Sequence, residues 1–230
     1  MDNFDFAYYL DPQQLLLLLS LIDRRPVAGI PPVEEKEDWQ KVSMSLIEDG
    51  RLRCEGGQLV MDAGLSELLL TMKGAECVYM LYGNGQEPDV LALYPGMRPA
   101  LMEFLPDGKN RLRGVAAAEI GQLVLSRLVP DYPVPEALLT SLPEDAILRE
   151  CLRRWEAKDI SLRDPPSLWL QVPEVRGVLE RWTPEARVRW IWIEDKAAGL
   201  ILCQDLDGAR AALDTASQRR SLLRKLGLET

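Results

Sequence analysis

The chain has 230 residues, enough for one large domain or two halves around a shared core, and its 47% hydrophobic and 27% charged residues are ordinary for a globular protein. With 36 acids against 27 bases the net charge is −9, which argues against a nucleic-acid partner, because a phosphate backbone is bound by clustered Lys and Arg. Histidine is absent, so serine and cysteine triads built on imidazole and most zinc hydrolases are excluded.

The opening Met1-Asp2-Asn3-Phe4-Asp5 is acidic and lacks the positively charged n-region of a signal peptide. The following run Leu15 to Ile22 is far shorter than the roughly 20 apolar residues that cross a bilayer, so no membrane insertion is expected and the cytosol is the expected compartment. Asp11-Pro12 opens a first helix, and apolar residues on nearly every side of it predict burial all round. After the breaks at Arg25-Pro26 and Ile30-Pro31-Pro32, a second helix is predicted from about Glu34 to Glu48, with Trp39, Val42, Leu46 and Ile47 along it. Arg51 to Met61 alternates around Gly56-Gly57 and predicts a short hairpin, and Gly64 to Met72 reads as a third helix. This order resembles a winged-helix module, yet its Glu34-Glu35-Lys36-Glu37-Asp38 segment has the wrong sign for phosphates.

Four strands are expected next, at Cys77 to Tyr82, Val90 to Tyr94, Ala100 to Leu105 and Arg111 to Val115. Short links at Gly83-Asn84-Gly85 and Asp107-Gly108 make neighbours antiparallel. A helix from about Ala116 to Val129 follows, and Pro130, Pro133 and Pro135 predict a linker between an N-terminal half (1–130) and a C-terminal half (131–230) that share one core. The second half predicts helices from Glu144 to Ala157 and Pro173 to Trp182, strands at Arg187 to Ile193, Leu200 to Gln204 and Ala209 to Leu213, and a last helix to Leu226. Ala100 to Phe104 with Asp107-Gly108 and a helix to Leu128 parallels Gly199 to Cys203 with Asp207-Gly208 and a helix to Leu226. The expected fold is therefore α+β: an antiparallel sheet flanked by helices, with a pseudo-twofold repeat of two halves and a winged-helix-like N-terminal part.

Candidate chemistry is sparse. The cysteines Cys54, Cys77, Cys151 and Cys203 are far apart and read as buried small hydrophobes in a reducing compartment. Gly83-Asn84-Gly85 is too short for a dinucleotide fingerprint, and the sequence has no phosphate-loop or EF-hand pattern. The acidic pairs Glu34-Glu35, Glu37-Asp38 and Glu194-Asp195 suit helix starts and turns better than a two-carboxylate active site. No enzyme, metal, cofactor or small-molecule ligand is expected. Five of the 6 tryptophans fall in the second half. Trp190 and Trp192 share one side of a predicted strand, either as core under a helix or as an aromatic strip that docks a protein partner, and Tyr82 carries the same ambiguity in the first half.

Leu10-Asp11-Pro12-Gln13-Gln14-Leu15-Leu16, the break ending Gly29-Ile30-Pro31, and Leu46-Ile47-Glu48-Asp49-Gly50-Arg51-Leu52 followed by Gly57-Gln58-Leu59 resemble EsaE-like proteins of Firmicutes. Those proteins are similar to the mycobacterial EspG chaperones. What the resemblance implies is a cytosolic adaptor of a type VII (ESX-like) secretion system, which captures a helical-hairpin substrate and keeps it soluble. It also implies an antiparallel sheet with helical bundles and pseudo-twofold symmetry. The alternatives are an acidic toxin-neutralising immunity protein and a winged-helix transcription regulator.

Overall fold

A computed structural model describes residues 6–31, 38–83, 88–128, 165–173, 175–195, 199–205 and 210–213, with the backbone alone for 125–128, 192–195, 199–205 and 210–213. In chain order the elements are β1 (Ala7–Leu10), α1 (Pro12–Ile22), α2 (Trp39–Glu48), β2 (Leu52–Glu55), β3 (Gln58–Met61), α3 (Ala63–Gly74), β4 (Val78–Gly83), β5 (Val90–Tyr94), β6 (Ala100–Phe104) and β7 (Asn110–Gly114). They are followed by α4 (Ala117–Leu128), α5 (Pro166–Trp169), β8 (Val175–Trp182), β9 (Arg187–Asp195), β10 (Gly199–Asp205) and β11 (Arg210–Leu213). The fold is α+β and its registered strand pairs are antiparallel.

Two units divide the chain. The first comprises Met1–Met80, Val90–Ala117 and Trp182–Pro184, and the second Leu81–Asp89, Ala118–Arg181 and Glu185–Thr230. In the first unit the strand order is β1-β7-β6-β5, with Val78–Met80 of β4 beyond. Apolar content follows that order. The inner strand β5 is a continuous apolar run, and β6 is apolar except for Glu103, whose buried carboxylate pairs with Arg111 of β7. Both strands are buried on both sides, Leu91, Leu93, Leu101 and Met102 all being at 0% exposure. Towards the edge, β7 and β1 alternate buried with open positions, as a half-covered strand does. On this sheet α1 packs against β1, and α3 against β6 and β7.

An aspartate caps each of the first three helices. Asp11 precedes Pro12 at the start of α1, and its N–H donates to Gln14 Oε1 at 3.0 Å. Asp38 Oδ1 accepts from Gln40 and Lys41 N–H at the start of α2, and Asp62 Oδ1 accepts from Leu65 N–H at 3.0 Å in α3. Each satisfies donors that the first turn leaves unpaired. Between β2 and β3, Gly56 and Gly57 both take positive φ, 59° and 81°, as the tight hairpin turn requires.

In the second unit the order is β8-β9-β10-β11, with Leu81–Gly83 of β4 beside β8. The β9–β10 register pairs Trp190 with Gln204 and Trp192 with Leu202. Ile120 and Val124 of α4 are buried, and Trp169 of α5 is fully so.

Several expectations are corrected. Residues Val175–Trp182 form β8, not a helix over Pro173 to Trp182. Val175, Gly177 and Val178 are poor helix formers, and neighbouring strands on both sides supply backbone partners that outweigh a helical reading of Glu180 and Arg181. Helix α2 starts at Trp39, not Glu34, because Asp38 holds the cap. Strand β1 was not expected at all. Helix α1 is buried along one side only, leaving Leu21 at 47% exposure, and Cys54 is exposed rather than buried. The linker near 130–136, the helices Glu144 to Ala157 and up to Leu226, and the turns at 84–85 and 207–208 lie outside the described residues.

Candidate functional site

An apolar groove of about 540 Å³ opens on the first unit. Leu16 and Leu19 of α1 form one wall, Pro26, Val27, Ile30 and Pro31 of the following loop another, and Trp39 stands at the start of α2, 39% exposed. Its volume lies within the range of preformed binding clefts.

The chain fixes these walls by specific bonds. Gln14 Nε2 donates to Ser45 Oγ at 2.9 Å, tying α1 to α2. Lys73 Nζ, from α3, donates to the carbonyls of Asp23, at 2.6 Å, and Arg25, where α1 has run out of helical partners. Desolvation holds the Lys73 ammonium below its ordinary range. Further along the loop, Tyr94 Oη donates to Ala28 O at 2.9 Å. Gly29 follows with φ +82°, and a β-carbon there would stand 2.8 Å from Met80 Sδ. The loop therefore approaches the sheet at a point only glycine allows. Arg24, Arg25, Asp23 and Lys73 line the mouth, with Arg25 paired to Asp23.

The residues singled out from sequence lie in the second unit. Tyr82 on β4 is half-buried, and its hydroxyl meets Glu180 of β8. Burial first, and then the Glu180 charge, push the Tyr82 hydroxyl well above the usual phenol range, against Arg189 and Arg187. Glu180 is only 3% exposed, and its Oε1 accepts from Arg189 Nε at 2.7 Å and Nη2 at 2.6 Å. Trp190 follows Arg189 and so points to the opposite side of β9, where it is 6% exposed. Tyr82 and Trp190 thus do not form one strip, and the chain itself covers Trp190. Trp192 lies on β9 and its side chain is outside the described residues.

The groove residues were not among those singled out. The signal for them was the Pro-rich break between a leucine run and Trp39, but only the loop's fold turns that break into a wall. Among the described residues no group of three or more Cys, Asp or Glu could hold a metal ion, and no helix is long and apolar enough to cross a membrane. The sequence matches no family model and no curated protein.

Proposed function

We propose that this chain is a cytosolic protein-binding adaptor that works without catalysis, a chaperone for helical-hairpin substrates of a type VII (ESX-like) secretion system. The groove beside α1 carries the reading. Apolar side chains at helical spacing on a substrate would enter between Leu16, Leu19 and Trp39, in the way an amphipathic helix fills a hydrophobic cleft. The likeness of Leu10 to Leu16 and of Leu46 to Leu52 to EsaE-like proteins supports the secretion assignment, and both segments border or contain the helices that build the groove. A winged-helix-like N-terminal part belongs to the same proposal, supported by the order α1, α2, β2-β3 hairpin and α3, and so does a pseudo-twofold repeat of the two halves, supported by the succession β6-β7 in one and β10-β11 in the other. The regulator reading is weaker, since α2 carries Lys41 as its sole cation.

The test is co-expression with helical-hairpin proteins encoded beside the gene, followed by size-exclusion chromatography. At least one should co-elute, and Trp39→Ala should weaken that complex tenfold or more, about 1.4 kcal/mol, without lowering the melting temperature. If every hairpin elutes apart from the chain, the adaptor reading falls.

A further inference from the structure

Among the described residues the β2-β3 hairpin has a free edge of unusual composition. No described strand pairs with the outer side of β3. Natural edge strands are blunted by charge, proline or a bulge, because unpaired N–H and C=O groups template pairing with another chain. Strand β2, Leu-Arg-Cys-Glu, carries charges of both signs, whereas β3, Gln58-Leu59-Val60-Met61, carries none. Leu59 is 48% and Val60 41% exposed.

Which groups face outward follows from the turn. Gly56-Gly57 closes a two-residue loop, so Glu55 and Gln58 exchange hydrogen bonds across it, as do Arg53 and Val60 two residues on. The 3.0 Å bond from Asp62 N–H to Arg51 O continues the same alternation. The N–H and C=O of Leu59 and Met61 therefore point away from β2.

We infer that this edge pairs with the same edge of a second copy of the chain, antiparallel about a twofold axis. One register satisfies all the outward groups: Leu59 opposite Met61 of the partner subunit, Met61 opposite Leu59 of the partner subunit, and Val60 opposite Val60 of the partner subunit. Both outer pairs exchange backbone hydrogen bonds, and the central valines meet in the close, non-hydrogen-bonded arrangement. The three central pairs in that register are apolar, and beyond them Gln58 falls opposite Asp62 of the partner subunit, so no like charges oppose, and the contact is self-complementary as a twofold interface must be. Two short strands bury less than the roughly 1,200 Å² of a stable complex, so the association is weak and reversible. The −9 charge of each copy repels the other, so added salt tightens it.

Sedimentation equilibrium of the full chain should show the average mass rising toward that of a dimer between about 10 µM and 1 mM, more steeply at about 0.5 M salt than at about 0.1 M. Val60→Lys sets two ammonium groups face to face and should abolish the rise. Leu70→Lys, at an equally exposed position on α3 (Leu70 is 54% exposed), should leave it unchanged. A second arm reads the register: in a Cys54→Ser background, Val60→Cys should form a covalent dimer on mild oxidation much faster than Gln58→Cys, and it remains informative should Val60→Lys fail to fold. A flat mass up to 1 mM, a Val60→Lys chain that associates like the wild type, loss of association in Leu70→Lys, or equal cross-linking of the two cysteine variants would each overturn the inference.

Discussion

Tyr8, Asp62 and Arg51 join three elements at one point. Tyr8 Oη donates to Asp62 Oδ1 at 2.6 Å, the same oxygen that caps α3, and the Arg51 guanidinium lies 5.0 Å from the centre of the Tyr8 ring. Gly64 leaves room for this: a β-carbon there would stand 2.6 Å from the Tyr8 hydroxyl. Tyr8→Phe should lower stability by about 1 kcal/mol in urea unfolding, the ordinary worth of a partly buried hydrogen bond. Asp62→Ala, which removes both the cap and the acceptor, should cost more, about 2 kcal/mol. At the groove, Gly29→Ala should cost about 1–2 kcal/mol from its positive φ alone, and the close Met80 sulfur adds to that. Thermal melts of these variants check each value. Tyr8 and Asp62 could not be associated from sequence, since 54 positions separate them.

At the scale of the element, β8 shows where pattern reading failed. Its buried positions run together, so it has neither the two-residue alternation of a half-exposed strand nor a reliable helical period. Glu180 on β8 and Arg189 on β9 are both largely withdrawn from water, at 4% and 14% side-chain exposure. Removing one partner leaves the other charge buried, so Glu180→Ala should cost about 3 kcal/mol or more. Glu180→Gln, which keeps an acceptor, should cost less. A double-mutant cycle with Arg189→Met, followed by chemical denaturation, separates the coupling from the loss of packing. By contrast, β5, β6, β7 and the β2-β3 hairpin were legible to within a residue, because each pairs with a sequence neighbour across a turn whose Gly residues announce it.

Across the whole molecule the titrating groups set a pH window. Hydrogen bonds from Tyr8 and from backbone N–H hold the Asp62 carboxyl below its ordinary 3.8, and the Arg25 N–H does the same for Asp23. A carboxyl with a depressed folded value contributes stability above 3.8 and loses it as pH falls further. Burial first, and then Asp62, push the Tyr8 hydroxyl up from 10.0 to about 12, so its contribution is complete below pH 10 and lost as pH rises toward 12. Melting temperature should therefore hold through the neutral range and fall at both extremes. Tyr8→Phe should shrink the alkaline fall without removing it, because Tyr82 and Tyr94 are also raised by burial. Circular-dichroism melts from pH 3 to 11 would check this.

Composition alone determined the acidity and the lack of imidazole chemistry, and local pattern determined the helices that an aspartate caps and the strands that a glycine turn joins. Those features depend on residues within one turn or one hairpin of each other, so the chain states them in order. Tertiary structure decided the rest. It made Pro173 to Trp182 mostly strand, covered Trp190, set Tyr82 against Glu180 and turned the Pro-rich break into the wall of a groove. Each of these depends on backbone partners or neighbours brought together from distant positions, and no local period encodes where such partners will stand.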